Sequence, residues 1–283
     1  MNQNIKFEKS ALVVAHPDDE ILWFSSVIDF VDKIIIIYNG TSNKEVLLGR
    51  NKIFNSKILP YQGKVKCLKI EEADVFNKSN WNFPKLTSYG VKLNSKKYIQ
   101  NFDKIKEKLS EELLDYQNII THNPWGEYGH EEHIQVFNAI SKVSEKINFA
   151  VWVSSYFSEQ SLKTMSLFKN LISKETYRFE INKDICEKVK SIYISNKAWT
   201  WSENYEWPKH ESFFKLNLNF SKLNVVQNKI PEIWSDMNFI LIHYVHLTKF
   251  SIIRSKIIQL LKTILPESIF SLLIKIKKKN EIS

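Results

Sequence analysis

Short apolar runs alternate with longer amphipathic stretches through the first 150 or so residues. Residues 11–15 (ALVVA), 33–38 (KIIIIY), 65–70 (VKCLKI), 118–121 (NIIT) and 149–153 (FAVWV) each predict a strand. Between them, 20–31, 45–59, 98–116 and 131–147 predict helices, and in 98–116 the residues Ile105, Leu109, Leu113 and Leu114 fall at helical spacing. Asn39-Gly40 stops the second strand, and Pro60 closes the helix that follows it. Residues 74–94 carry Trp81, Pro84 and Gly90 and predict a long irregular loop, a feature that is often functional. Beyond about residue 155 the pattern weakens: 176–181 reads as a strand, 183–196 as a helix, and the chain from 233 onward as mainly helical. Strands that alternate with helices imply βαβ units. The expected fold is therefore α/β, a three-layer sandwich with a mostly parallel sheet and a C-terminal helical extension.

Composition agrees with a globular chain, at 43% apolar and 25% charged residues. The formal charge is +9, yet only Arg50, Arg178 and Arg254 are arginines among 40 basic residues. Specific duplex readers rely on Arg for bidentate base contacts, so no specific nucleic-acid partner is expected. Residues 249–283 hold eight Lys/Arg and two Glu, a net of +6, which leaves the first 248 residues nearly balanced. The chain thus divides into a domain at 1–248 and a basic amphipathic tail at 249–283. In the tail, Ile253, Ile257, Leu260, Leu261 and Ile264 repeat at helical spacing, followed by Lys275, Lys277, Lys278 and Lys279. Two readings stay open: a helix docked on the domain, or an interfacial helix in peripheral contact with anionic lipid. Cys67 and Cys186 form no CxxC pattern, and residues 1–10 contain no apolar secretory segment. No uncharged run is long enough to span a bilayer. The expected setting is cytoplasmic, at the inner face of a membrane if the tail touches lipid.

Two loops carry the chemistry, each at the carboxyl end of a predicted strand, where open α/β sheets place their ligands. The first is His16-Pro17-Asp18-Asp19-Glu20; the second runs from Asn123 to His133 and includes Glu127, Tyr128, His130, Glu131 and Glu132. Imidazoles with carboxylates are the donor set of a catalytic zinc or similar divalent ion. His16 and Asp19 are three apart, as are His130 and His133, so a turn can aim each pair at one ion; a helix starting near Gly129 would put the second pair on one face. Asp18, beside these ligands, suits a general base acting on water. The alternative for the first loop is a polar turn capping a helix.

The HPDDE and GHEEH runs resemble the two signature motifs of the PIG-L/LmbE-like family of metal-dependent N-acetyl-sugar deacetylases. The resemblance spans roughly residues 8–200 and implies a Rossmann-like fold. It implies that His16, Asp19 and His133 bind zinc, with iron or cobalt accepting the same donors. Asp18 would be the general base. A protonated His130 would stabilise the charged intermediate or protonate the leaving amine, and Tyr128 would help to polarise the acetyl carbonyl. Arg50 and Asp74 match, less closely, positions that hold sugar hydroxyls. Residues 190–201 (KSIYISNKAWTW) resemble the family's Tyr-x-Ser-Gln segment, with Asn196 in place of Gln. The implied partner is an N-acetylated amino sugar in a glycan, a sugar nucleotide or a lipid-linked form. A zinc amidase acting on another acyl or thiol conjugate needs the same residues, and a catalytically idle membrane-associated binding protein would keep only the fold.

Overall fold

The computed structural model describes residues 7–218 and 236–240. Its centre is a seven-stranded sheet in the order β3-β2-β1-β6-β7-β10-β9. These strands are β1 (Ser10–Val14), β2 (Lys33–Gly40), β3 (Val65–Glu71), β6 (Asn118–Thr121), β7 (Ala150–Ser154), β9 (Ile172–Glu180) and β10 (His210–Leu216). Neighbouring strands from β3 to β7 run parallel, while β10 is antiparallel to both β7 and β9. In register, Leu12 pairs with Ile34 on one side and Ile120 on the other. The strand order reverses direction at β1, so a crevice opens beyond the carboxyl ends of β1 and β6, and both motif loops leave the sheet there.

Both faces of the sheet are covered, as a parallel sheet requires. Ala11, Val13, Ile35, Ile37, Ile119, Val151 and Val153 form one core with helices α3 (Lys96–Glu112) and α4 (Glu131–Ser144). The α3 side contributes Phe102, Ile105 and Leu109, and α4 contributes Val136, Phe137 and Ile140. Leu12, Val14, Ile34 and Ile36, of the opposite parity, are also fully buried. Each such side chain contributes about 1.5–3 kcal/mol on burial. Helices α2 (Lys44–Ser56) and α6 (Lys183–Ser195) approach until a Cβ on Gly49 would lie 1.9 Å from the Asn196 carbonyl, so only glycine fits.

Three elements differ from expectation. The helix predicted over 20–31 is a single turn, α1 (Asp19–Leu22), followed by a 3₁₀ turn at Ser25–Val27. Residues 20–28 are all buried, so no solvent stripe supports a longer helix, and the Ser26 N–H bonds Glu211 Oε2 at 2.9 Å instead of a helical carbonyl. The loop at 74–94 contains a small hairpin, β4 (Leu86–Thr87) and β5 (Gly90–Val91). In the region predicted as helical from 233 onward, Asn238–Ile240 is a strand, β11, parallel to β8 (Tyr156–Ser158). A further helix, α5 (Leu162–Phe168), precedes β9. The basic tail, with His243 and His246, lies outside the described residues. Among the described residues no helix is long and apolar enough to cross a membrane.

Candidate metal centre

The loop after β1 delivers His16, Asp18 and Asp19; the loop after β6 delivers Glu127, Tyr128 and His130, and α4 adds Glu132 and His133. His16 stacks on Tyr38, with ring centroids 5.3 Å apart. Its Nε2 meets Glu132 Oε2 at 3.0 Å, while Glu132 Oε1 accepts the Ala73 N–H at 2.6 Å. An ionised carboxylate only accepts, so Nε2 carries a proton, and in the neutral ring Nδ1 has the lone pair. That Nδ1 lies 3.2 Å from Asp19 Oδ2. The same logic fixes His133. Its Nδ1 donates to Glu127 Oε2 at 2.8 Å, so Nε2 bears the lone pair, 3.3 Å from Asp19 Oδ2. His133 Nε2 is buried and has no hydrogen-bond partner among the described residues.

Three acceptor atoms therefore converge: His16 Nδ1, His133 Nε2 and Asp19 Oδ2. A tetrahedral ion with bonds of 2.0–2.1 Å requires ligand separations of about 3.3 Å. The contacts to Asp19, 3.2 and 3.3 Å, match two of the three edges, and ligand atoms of His16, His130 and His133, and of Asp19, His122 and His133, lie within 4.8 Å of one another, so the residues fit a divalent ion. Electrostatics agree. Burial pulls His16 down, but Asp19 and Glu132 outweigh it and lift the imidazole to about 10. Burial pushes Asp19 up, but His133, His122 and His16 hold it well below the usual carboxylate range. The cluster needs positive charge at its centre, and one proton can serve only one of these contacts.

His122 belongs to the same cluster, with Nε2 3.4 Å from Asp19 Oδ2. Its Nδ1 meets Glu127 Oε2 at 2.9 Å, and its Nε2 accepts the Ala15 N–H at 2.9 Å. Burial lowers His122 while Glu127 and Asp19 raise it to about 9. The Ala15 bond decides between these pulls, because it needs a lone pair on Nε2 and so holds the neutral ring. With that lone pair used, His122 positions its neighbours rather than coordinating.

Glu127 is the keystone of the arrangement. Oε2 takes the two imidazole protons, and Oε1 accepts the Asn123 N–H at 3.0 Å and the Ser154 hydroxyl at 2.5 Å. Burial raises this carboxyl, but His122 and His133 hold it down to about 2. Its φ of 50° is left-handed, and flanking Gly126 and Gly129 have φ of 70° and 90°. A Cβ on Gly126 would sit 2.6 Å from the His130 carbonyl, so this turn requires glycine there.

His130 departs from expectation. Rather than sharing the helix face with His133, it is the N-cap of α4, and its Nδ1 accepts the Glu132 N–H at 3.1 Å. Its ring stacks on His133 at 4.5 Å and lies 4.8 Å from His16. Burial, His133 and His16 push it well below the usual imidazole range, and the positive end of a helix acts the same way. These neighbours oppose the protonated His130 expected from the sequence, and the bond from Glu132 leaves Nε2 as the donor nitrogen of a neutral ring.

Asp18 has a left-handed backbone (φ 88°), and its N–H is held by Glu20 Oε2 at 2.9 Å. Glu20 Oε1 in turn accepts the hydroxyls of Tyr61 and Tyr193, at 2.9 and 2.6 Å. Asp18 Oδ2 accepts both the N–H and the Oγ1–H of Thr200, each at 2.8 Å, which leaves Oδ1 uncommitted among the described residues. Burial and the charge of Asp19 push Asp18 up to about 8, while Arg50 and Thr200 oppose. Arg50 is buried on α2, with Nη1 2.5 Å from Glu72 Oε1 and no partner for Nε among the described residues. Asp74 is exposed and accepts the Ser42 hydroxyl at 2.7 Å, apart from the buried cluster. Tyr128 is buried against Trp201 (4.7 Å), His133 (5.5 Å) and His130 (5.7 Å). The 190–201 segment thus reaches the site through Tyr193 and Thr200, while Asn196 caps α6.

No family model matches the chain. It is similar to an uncharacterized protein of Acanthamoeba polyphaga mimivirus, 26% identical over 233 residues, covering 77% of this chain and 84% of that protein. Among solved structures, it resembles the deacetylase of the teicoplanin biosynthesis pathway (12% identity, 73% of this chain and 98% of that one, TM-score 0.46). It also resembles the A40926 pseudoaglycone deacetylase (9% identity, 75% of this chain and 98% of that one, TM-score 0.47).

Proposed function

We propose that the chain is a metal-dependent hydrolase that removes the N-acetyl group from an amino sugar. The observation that carries this reading is the convergence of His16 Nδ1 and His133 Nε2 on Asp19 Oδ2, with His133 Nε2 buried and unpartnered among the described residues. Two imidazoles and one carboxylate suit zinc, and iron and cobalt take the same donors. Such an ion supplies, when bound, a water of lowered pKa and a Lewis acid for the acyl oxygen. Asp18 takes the proton of the attacking water on Oδ1, since Thr200 occupies Oδ2. The charge of Arg50 favours the ionised form of Asp18 that this step needs. His130, neutral, offers its Nε2–H to the acyl oxygen as negative charge develops there, with the Tyr128 hydroxyl as second donor. The proton held by Asp18 then passes to the departing nitrogen, giving acetate and a free amine. Arg50 and Asp74 are the substrate contacts of this reading, Arg50 through its unpartnered Nε. The basic sequence at 249–283 favours a cytoplasmic reaction at the inner face of a membrane. The test is metal content together with acetate release from N-acetylglucosamine derivatives. Wild type should bind one divalent ion and release acetate, and Asp18→Ala should keep the ion and lose activity. Equal activity in Asp18→Ala, or equal absence of metal in wild type and His133→Ala, would overturn it.

A further inference from the structure

A cavity of about 400 Å³ lies beside the candidate centre, between residues 77–82 and 159–163. It is lined by Asn77, Asn80, Trp81, Asn82, Gln160 and Lys163, among others. Trp81 is only 8% exposed, and its indole N–H is buried with no hydrogen-bond partner among the described residues. An unpaired buried donor costs about 1–3 kcal/mol, so a ligand oxygen that reached it would be favoured.

The lining specifies the chemistry of that partner. Side-chain amides present donors and acceptors together, which suits vicinal hydroxyls that do both. The amides of Asn77, Asn82 and Gln160 form no hydrogen bonds among the described residues, whereas Asn80 Oδ1 accepts the Asn82 N–H at 3.1 Å. The cation in the lining, Lys163, donates to the Asn82 carbonyl at 2.9 Å and lies 5.0 Å over the Phe83 ring, and the carboxylate of Glu159 in the same lining offsets its charge. A phosphate would find no net positive charge there, while a neutral polyhydroxylated ring finds amides and an indole.

The cavity is coupled to the candidate centre. A Cβ on Gly129, the residue before His130, would meet Gln160 Nε2 at 3.0 Å and the Trp81 ring at 3.3 Å. Phe76, where the loop enters, stacks on His130 with centroids 4.8 Å apart. Glu131 accepts the Asn77 and Ser79 N–H groups at 3.0 and 2.7 Å, which ties the loop to the first turn of α4.

We propose that this cavity is a second saccharide subsite that binds a neutral sugar ring adjoining the acetylated one. The substrate is then an oligosaccharide or glycan rather than a free monosaccharide or a nucleotide-linked sugar. The inference rests on the deacetylase reading of the metal centre. It is tested by equilibrium binding to zinc-loaded Asp18→Asn protein. The probes are N-acetylglucosamine, its β1,3-, β1,4- and β1,6-linked diacetylated disaccharides, and UDP-N-acetylglucosamine.

At least one disaccharide should bind about tenfold or more tightly than the monosaccharide, and UDP-N-acetylglucosamine should gain nothing. Gln160→Ala, a half-buried side chain whose loss should leave the melting temperature unchanged, should remove most of the gain, and Trp81→Phe should do likewise. Monosaccharide binding should not change in either variant. The proposal is overturned if no disaccharide gains, if both variants keep the gain, or if they weaken mono- and disaccharide alike. A disaccharide gain without acetate release by wild type would refute the deacetylase reading and keep the subsite. Acetate release with the same KM for mono- and disaccharides would do the reverse.

Discussion

Replacing Glu127 by Gln is the sharpest test of how this site is built. The carboxylate faces four donors: the Nδ1–H groups of His122 and His133, the Asn123 N–H and the Ser154 hydroxyl. A glutamine amide accepts on one side only. If its oxygen stays opposite the Asn123 N–H, a fixed donor, its NH₂ faces both imidazoles. Each ring must then turn its lone pair to Nδ1 and its proton to Nε2. For His133 that proton points into the ligand cluster; for His122 it collides with the donating Ala15 N–H, 2.9 Å away. The reverse orientation sets the NH₂ against Asn123. One buried donor is unpaired either way, at about 1–3 kcal/mol. Residues that orient metal ligands are typically worth 10–100-fold in metal affinity, which is about 1.4–2.7 kcal/mol. Glu127→Gln should therefore bind zinc 10–100-fold more weakly in a competition titration against a chromophoric chelator. The metal-free protein should also melt several degrees lower. Wild-type zinc affinity in a folded Glu127→Gln protein would refute the tautomer argument for His133.

Three further outcomes follow from individual contacts. Both Thr200 bonds favour ionised Asp18, so Thr200→Val, which keeps only the backbone N–H, should raise the Asp18 pKa. A base works only when ionised, so the rising limb of the pH–rate profile should move to higher pH; an unchanged or acid-shifted limb contradicts the assignment. Burial raises the Cys186 thiol to about 12 and raises Cys67, which is only partly buried, as well. At pH 8 the native protein should therefore be alkylated by iodoacetamide at Cys67 first and at Cys186 only on unfolding, and equal rates in peptide mass spectra would count against this packing. The basic sequence beyond Lys249 should carry full-length protein, but not a version ending at Phe250, to the top of a flotation gradient with anionic liposomes. Equal flotation of the two, or none, removes the lipid-contact reading.

Much of the sheet is legible in the sequence because a parallel strand buried on both faces has to be apolar throughout. Ile34–Ile37 and Leu12–Val14 say so directly, and the Asn118–Thr121 strand follows from the same rule. β10 escapes because its aromatic core is interrupted by Glu211, whose burial only its distant partners Ser25, Ser26 and Tyr156 explain. The 20–31 segment misleads for a related reason: buried on all sides from Glu20 to Ile28, it has no stripe from which a helix length can be read. In the candidate site the residue types are legible and their protonation is not. The burial of Arg50 is not legible until Glu72 and Asp18 are seen to face it. Thr200 is 182 positions from the carboxylate it holds. For a histidine, the nitrogen left free is decided by whatever occupies the other one. Glu132 decides it for His16, Glu127 for His133, Ala15 for His122, and the first turn of α4 for His130. A motif of histidines and aspartates therefore names the atoms that can meet, while the turn built around Gly126 and Gly129 determines which of them meet as lone pairs.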